Sequence, residues 1–90
     1  VWQTTINKYG LEKESRMGYA VGIGYPPVWM ENTSLCFKPG EKTVLQPNMT
    51  FHMMPGLWLE GYGVAITECI RITDRGAETI TKFPRQLFVK

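Results

Sequence analysis

The stretch TFHMMPGLWLEGYGVAITECIRIT, Thr50 to Thr73, decides the fold of this chain. It is rich in β-branched and aromatic residues, which favour strands, and these residues fall into short runs. A proline-glycine pair at residues 55–56 and a glutamate-glycine turn at residues 60–61 separate the runs. The pattern predicts antiparallel strands over residues 50–54, 57–59 and 62–73.

Further turn signals lie on both sides of this stretch. Pro39-Gly40 and Pro47-Asn48 are typical turn pairs, and Asn48 tolerates a positive φ. On the other side, Gly76 in TDRGAETIT is expected in the left-handed region, with one more short strand after it. The apolar tail FPRQLFVK, residues 83–90, is expected to be extended and to dock on the rest of the chain.

A helical signal opens the chain. Trp2, Ile6 and Tyr9 recur at near-helical spacing, and Gly10 follows as a C-terminal stop. The segment RMGYAVGIGYPP, residues 16–27, predicts a strand that runs into a loop. Its glycines are interpreted as sites of close backbone packing, because no Lys-Ser or Lys-Thr follows to make a phosphate loop. The sequence therefore predicts an α+β fold, a curved antiparallel β-sheet with a short N-terminal helix.

Composition limits the chain to one small domain or fragment, residues 1–90. With 43% hydrophobic and 20% charged residues it resembles a globular chain with one core. A formal charge of +2 without a basic run argues against nucleic acid as a partner. No apolar run reaches the roughly 18 residues of a membrane span and no signal-peptide pattern is present, so we expect the cytoplasm. Cys36 and Cys69 are expected there as free, buried thiols.

One acidic residue interrupts the aliphatic side of the 62–73 strand. Since side chains alternate across a strand, Glu68 falls on the side of Ile66, Ile70 and Ile72. An ionised carboxylate there is costly unless it is paired, so it either meets an inward-facing partner or belongs to a site. A half-buried face or a bulge would be the plainer explanation.

The same alternation puts His52, the only histidine, on one side of its strand together with Met54. An imidazole in an apolar strand is either a hydrogen-bonded core residue or an acid-base group. One histidine and two cysteines, with no close-spaced pair among them, do not make a zinc site of the usual kinds. The sequence therefore predicts no metal site within the chain.

Several phrases taken together resemble one family of enzymes. They are RMGYAVGIGYPP and VLQPNMTFHMMPGLWLEGYGVAITECIRITDRGAETIT, at residues 16–27 and 44–81. They resemble the C-terminal part of the pita-bread fold shared by methionine aminopeptidases, proline-specific peptidases and creatinase. In that family Gly-His-Gly-Ile-Gly precedes Leu-x-Pro-Gly-Met-x-Phe-x-x-Glu-Pro-Gly and a strand bearing glutamate. The resemblance implies that this chain is the C-terminal portion of such a fold.

The resemblance also shows which metal ligands are missing. The family's metallopeptidases bind a dinuclear metal through a histidine and two glutamates of this region, and Tyr19 and Met54 stand where the histidine and first glutamate are expected. Neither offers the imidazole or carboxylate that such a metal pair requires. The family's last ligand glutamate aligns with Thr67 when the pattern is counted back from Thr73 without a gap. Glu68 is one residue further on, so it would take the ligand position only if a bulge or gap shifted the strand by one residue. The resemblance points to the metal-independent branch, creatinase and creatinase-like hydrolases of the ectoine-hydrolase type.

Two hypotheses follow. By resemblance, the parent protein hydrolyses a C–N bond of a small cyclic or amidine-like molecule without a cofactor, and this chain lines one wall of the cleft. His52 would transfer protons and Glu68 would orient the substrate. Tyr19, Met54 and Trp58 would contact the substrate. In the alternative, the chain is a non-catalytic module that binds a small molecule or self-associates through its apolar edges. In isolation we expect it to be an inactive fragment or truncated gene product that forms homo-oligomers.

Overall fold

The computed structural model describes residues 1–13, 15–22 and 35–90. These residues form a small α+β fold with one short N-terminal helix and antiparallel strands, as predicted. The predicted loop over residues 23–27 lies outside the described residues. In chain order the elements are α1 (Trp2–Asn7), β1 (Gly18–Ala20), β2 (Thr50–Met53), β3 (Gly56–Leu59), β4 (Tyr62–Ala65), β5 (Glu68–Thr73) and β6 (Gly76–Thr79).

The strands form two antiparallel sheets. The larger has four strands in the order β1-β2-β5-β6, and β3 and β4 form a separate two-stranded hairpin. At the outer edge of β1, Cys36 forms an isolated antiparallel bridge with Tyr19. The centre of the larger sheet is therefore the β2–β5 pair, which joins parts of the chain on either side of the hairpin.

The turns adopt the conformations that their residues predict. Asn48, before β2, has a φ of 71°, and Gly76, at the β5–β6 turn, has a φ of 132°. Gly61 joins β3 to β4 with a φ of 85°. Gly10, with a φ of 68°, follows α1, so the predicted helix stop is confirmed although the helix itself ends at Asn7. None of the helices among the described residues is long and apolar enough to cross a membrane.

The predicted single strand over residues 62–73 is wrong, because the chain changes sheets within it. Residues up to Ala65 pair with β3, and the Ile66 amide donates a hydrogen bond of 3.0 Å to the Pro55 carbonyl. From Glu68 onwards the chain pairs with β2 instead. Residues 66–67 are thus the crossover between the hairpin and the larger sheet.

The buried core is small and includes Phe51 in the middle of β2. Its side chain has no exposed surface, and its ring lies 4.6 Å from that of Phe37, centroid to centroid. Ile6 of α1 is 4% exposed, and Tyr19 and Cys36 complete the buried hydrophobic set of the described residues. Because Phe51 precedes His52, the centre of the core and the histidine lie on consecutive residues of one strand.

Gly18 allows β1 to approach β2 closely. A Cβ atom added at this position would lie 2.6 Å from the His52 carbonyl oxygen and 2.9 Å from the Met53 sulfur. The first of these neighbours is backbone and cannot move without shifting the strand. The absence of a side chain at Gly18 therefore fixes the distance at which Tyr19 stands beside His52.

Candidate active site

Three side chains lie in a row across β1, β2 and β5. His52 is directly opposite Tyr19 on one neighbouring strand and directly opposite Cys69 on the other. Residues directly opposite each other in an antiparallel pair project from the same face of the sheet. Tyr19, His52 and Cys69, hereafter the His52 row, therefore share one face.

Contacts on both sides hold the His52 ring. The Tyr19 ring centroid lies 5.3 Å from that of His52 at an interplanar angle of 43°, within the usual range for ring pairs. Cys69 Sγ lies 3.8 Å from His52 Nδ1, with donor and acceptor roles that depend on the tautomer. Because Nδ1 is engaged by the thiol, Nε2 is the ring nitrogen left to exchange a proton with another group.

A cation extends the row on the Tyr19 side. The Arg16 guanidinium carbon lies 5.1 Å from the centroid of the Tyr19 ring, which is the geometry of a cation–π contact. On the same side, the backbone of Cys36 forms its isolated bridge with Tyr19. Cys36 and Cys69 are free thiols, as predicted, but only Cys36 is buried and Cys69 is half-buried. The face thus carries an imidazole between a phenol and a thiol.

Met54 follows the row at the end of β2. Its amide donates a hydrogen bond of 2.8 Å to the Met17 carbonyl, which continues the β1–β2 ladder by one residue. β2 itself ends at Met53, and continued alternation is expected to place Met54 on the His52 side. A half-buried thioether therefore follows the strand of His52, at the position where the family pattern has a glutamate.

Glu68 does not lie on this face, which corrects the prediction that it lines the same wall as His52. The β2–β5 register runs residue for residue from Thr50–Arg71 to Met53–Glu68, so no bulge turns the carboxylate towards His52. Its Oε2 instead accepts hydrogen bonds of 3.2 Å and 3.1 Å from Nε and Nη2 of Arg85. A largely buried carboxylate needs a hydrogen-bond or ion-pair partner, and for Glu68 a residue of the C-terminal tail supplies it.

Trp58 lies on the hairpin, in a different sheet from His52. It pairs with Gly63, and its ring covers this residue so closely that a Cβ atom there would clash with it. The side chain is 74% exposed. Among the predicted site residues, the structure brings Tyr19 and His52 together on one face and leaves Trp58 on a separate element.

The carboxyl with a shifted pKa among the described residues lies away from the row. The Thr43 hydroxyl donates a 2.6 Å hydrogen bond to Glu41, and this contact lowers the pKa of Glu41 below its ordinary value. The amides of Thr43 and Lys42 donate to the same oxygen. Glu41 is fully exposed, so this carboxylate organises a surface turn rather than a site.

Cys69 is the site residue that sequence reasoning missed. Nothing in its local sequence marks it, because its role depends on the register that sets it opposite His52. The one indication in the sequence was alternation. Because neighbouring side chains of a strand point to opposite faces, placing Glu68 on the aliphatic side also places Cys69 on the opposite side. That side becomes the histidine side only once the partner strand is known.

The dinuclear metal of the family's peptidases does not fit the residues present. The three positions where the resemblance expects ligands offer a phenol at Tyr19, a thioether at Met54 and a hydroxyl at Thr67. Divalent metals of such pairs are bound by carboxylate oxygens or imidazole nitrogens, and the nearby carboxylate of Glu68 projects from the other face. In the described ranges, no group of three or more His, Cys, Asp or Glu residues is arranged to hold a metal ion.

Comparison with known proteins agrees with this architecture. The sequence profile of metallopeptidase family M24 matches residues 1–74. The chain is 54% identical over 86 residues to the ectoine hydrolase of Halomonas elongata. The aligned region covers 94% of the chain and 21% of that protein. The chain is 43% identical over 89 residues to the uncharacterized hydrolase/peptidase y4tM of Sinorhizobium fredii, covering 99% of the chain and 22% of that protein. The chain thus spans about a fifth of the length of these relatives, and it belongs to metallopeptidase family M24, among its creatinase-like and ectoine-hydrolase-like members.

Proposed function

We propose that this chain forms one wall of the active site of a creatinase-like hydrolase that cleaves a C–N bond in a small cyclic or amidine-like molecule. In the proposal it is the C-terminal portion of a curved pita-bread fold, and the enzyme works in the cytoplasm. The observation that carries the proposal is the His52 row, in which an imidazole stands between Tyr19 and Cys69. The identity of 54% to an ectoine hydrolase supports ectoine-like compounds as the substrate class.

His52 supplies the proton transfers that such a hydrolysis needs. Water must add to the amidine carbon, and a proton must reach the nitrogen that leaves. Neutral His52 accepts a proton from the water as the carbon–oxygen bond forms, and it returns that proton to the nitrogen as the C–N bond breaks. The contact of Cys69 with Nδ1 leaves Nε2 for both transfers.

The other residues of the face provide shape rather than charge. Tyr19 and Met54 offer an aromatic ring and a flexible thioether, which suit a compact and largely apolar substrate surface. Trp58 is exposed on the hairpin and is proposed to contact the substrate from that element. Glu68 has no part in this wall, since Arg85 engages it on the other face.

We further propose that this hydrolase works without the family's dinuclear metal. A metal pair would need ligands from this wall, and the side chains at the corresponding positions are a phenol, a thioether and a hydroxyl. Without a metal, the contribution of this wall to catalysis is acid-base chemistry by His52. The sequence difference at Met54 is the main support, because a glutamate at that position is part of the family pattern.

Chelation of the full-length protein tests the proposal. Purified enzyme is dialysed against a strong chelator and assayed for loss of ectoine, with a metallopeptidase of the family treated in parallel. We expect the hydrolase to keep its rate while the peptidase loses activity. Loss of the rate on chelation, with recovery on adding a divalent metal, would refute metal independence. Absence of ectoine turnover by a folded protein would refute the substrate class.

The large exposed surface of the isolated chain favours a second role, as a self-associating module without catalysis. It exposes 7697 Å², whereas a compact monomer of 10.3 kDa would expose roughly 5,400 Å². Several large apolar side chains are open to solvent, both on the hairpin and in the tail: Trp58, Tyr62, Val64, Phe83, Leu87 and Val89. Apolar surface of this extent favours burial against another copy.

Light scattering after size exclusion tests self-association of the 90-residue chain. We expect a mass of at least two chains, because burying the exposed hairpin and tail removes apolar surface from water. A variant carrying Leu87→Asp and Val89→Asp should shift towards the monomer, since both side chains are 86% exposed. A monomeric wild-type chain would contradict the proposal.

A further inference from the structure

We infer that His52 and Cys69 together bind a single zinc ion, at a site distinct from the dinuclear centre of the family's peptidases. Zinc is the divalent metal that proteins commonly bind through imidazole nitrogen and thiolate sulfur. The two side chains come from neighbouring strands, and the β2–β5 register sets them directly opposite each other. Binding depends on this contact and not on the proposed hydrolase activity.

The separation of the two donor atoms fits one zinc ion between them. Zn–N bonds of about 2.0–2.1 Å and Zn–S bonds of about 2.3 Å place the donors about 3.6 Å apart at the tetrahedral angle. The same bonds would place them about 4.3 Å apart if both lay on one line. Cys69 Sγ lies 3.8 Å from His52 Nδ1, which corresponds to an angle of about 120° at the zinc. The ion therefore fits without a shift of either strand.

Both donor groups have the chemistry and the exposure that binding requires. His52 and Cys69 are half-buried, so neither side chain is sealed from solvent, and Cys69 is a free thiol. The imidazole binds the ion through Nδ1 in its neutral form, and the thiol gives up its proton to solvent as the Zn–S bond forms. Water fills the two remaining positions of a four-coordinate ion.

The groups around the pair favour zinc over harder divalent ions. Mg²⁺ and Ca²⁺ are bound by oxygen ligands, and the carboxylate next to Cys69 in the sequence, Glu68, projects from the other face. Arg71, two residues beyond Cys69 on β5, is neutralised by Glu78 at 2.8 Å. The Arg16 guanidinium lies over the Tyr19 ring. The negative ligand that the His52 row offers to a cation is thus the thiolate, a soft donor that suits zinc.

Zinc at Nδ1 blocks the proton transfers proposed for His52, a consequence that rests on the proposed function. A neutral imidazole with a metal on Nδ1 carries its hydrogen on Nε2, so Nε2 can no longer accept a proton from water. Zinc should therefore inhibit the full-length hydrolase, and a chelator should restore the rate. A full rate at zinc concentrations that saturate His52 would overturn this consequence.

Titration of the reduced 90-residue chain with Zn²⁺, followed by ¹H NMR of the imidazole, tests the site directly, because His52 is the only histidine. We expect its ring-proton signals to shift to saturation along a one-site curve, and Mg²⁺ to leave them in place. Co²⁺, a spectroscopic substitute for zinc, should give a thiolate-to-cobalt charge-transfer band in the near ultraviolet. Cys69→Ser should abolish this band. His52→Ala should weaken Co²⁺ binding by at least about tenfold, since loss of an outer-shell partner alone costs that much.

Cys36→Ser is the matched control, because it is the same substitution at the other cysteine, which lies on the far side of Tyr19 from His52. It should keep the imidazole shifts and the cobalt band. The inference is overturned if Zn²⁺ leaves the imidazole signals unchanged, if Mg²⁺ shifts them as strongly, or if Cys69→Ser keeps the cobalt band. Equal imidazole shifts in Cys69→Ser and the wild-type chain would also overturn it, since His52 would then bind the ion alone. An inactive full-length protein would refute the hydrolase proposal and would change none of these results.

Discussion

If the parent protein has the proposed activity, replacement of His52 by alanine in the full-length protein is expected to lower kcat for ectoine hydrolysis by about 10²- to 10⁴-fold, the usual contribution of a positioned acid-base group. KM should change less, because Tyr19 and Met54 still line the wall. Steady-state rates over a range of ectoine concentrations separate the two parameters. Added imidazole should restore part of the rate in His52→Ala, since a diffusible base can enter the space left by the ring.

Two further variants make the His52 result specific. Cys69→Ala removes the 3.8 Å contact with Nδ1 and should lower kcat by about threefold to tenfold, the effect of losing one orienting hydrogen bond. Glu78→Gln removes an exposed ion pair with Arg71 on the same face of the sheet and should leave the rate unchanged. The proposal fails if His52→Ala keeps the wild-type kcat, or if imidazole restores nothing while Glu78→Gln is equally impaired.

Local chemistry explains which parts of the fold could be predicted from the sequence. The turns at Asn48, Gly61 and Gly76 were predictable because few residues tolerate a positive φ, and all three adopt one. The strand over residues 50–53 and the final strand over residues 76–79 follow from alternation between such turns. These features depend only on neighbours in the sequence.

The split between β4 and β5 could not be predicted, because nothing in the local sequence marks it. Alternation continues through Ile66 and Thr67, and neither glycine nor proline interrupts residues 64–70. What separates the two strands is a change of partner, from β3 to β2. Long-range packing decides which strand is the partner, and the local hydrophobic pattern does not predict that choice.

The candidate site was predictable in part for the same reason. Alternation correctly placed Glu68 and Ile70 on one side of β5, but it could not say which side of β5 faces which side of β2. That depends on register, and a shift of one residue exchanges the two faces. The observed register removes Glu68 from the histidine side and brings in Cys69.

Phe51→Ala is expected to destabilise the chain by about 3–5 kcal/mol, the usual cost of truncating a buried phenylalanine. Phe51 is fully buried, lies opposite Ile70 and packs against the ring of Phe37. A chain of 90 residues has a total stability of roughly 5–13 kcal/mol, so this one substitution removes a large part of it. Among the residues that the structure describes, the other buried hydrophobic side chains are those of Ile6, Tyr19 and Cys36.

Thermal unfolding followed by circular dichroism measures this effect at one fixed chain concentration, because association also raises the midpoint. The midpoint of Phe51→Ala should fall by roughly 15–30 °C. Phe83→Ala is the matched control: it removes the same side chain where it is 67% exposed, and its midpoint should change by only a few degrees. Equal shifts in the two variants would show that Phe51 is not the centre of the core.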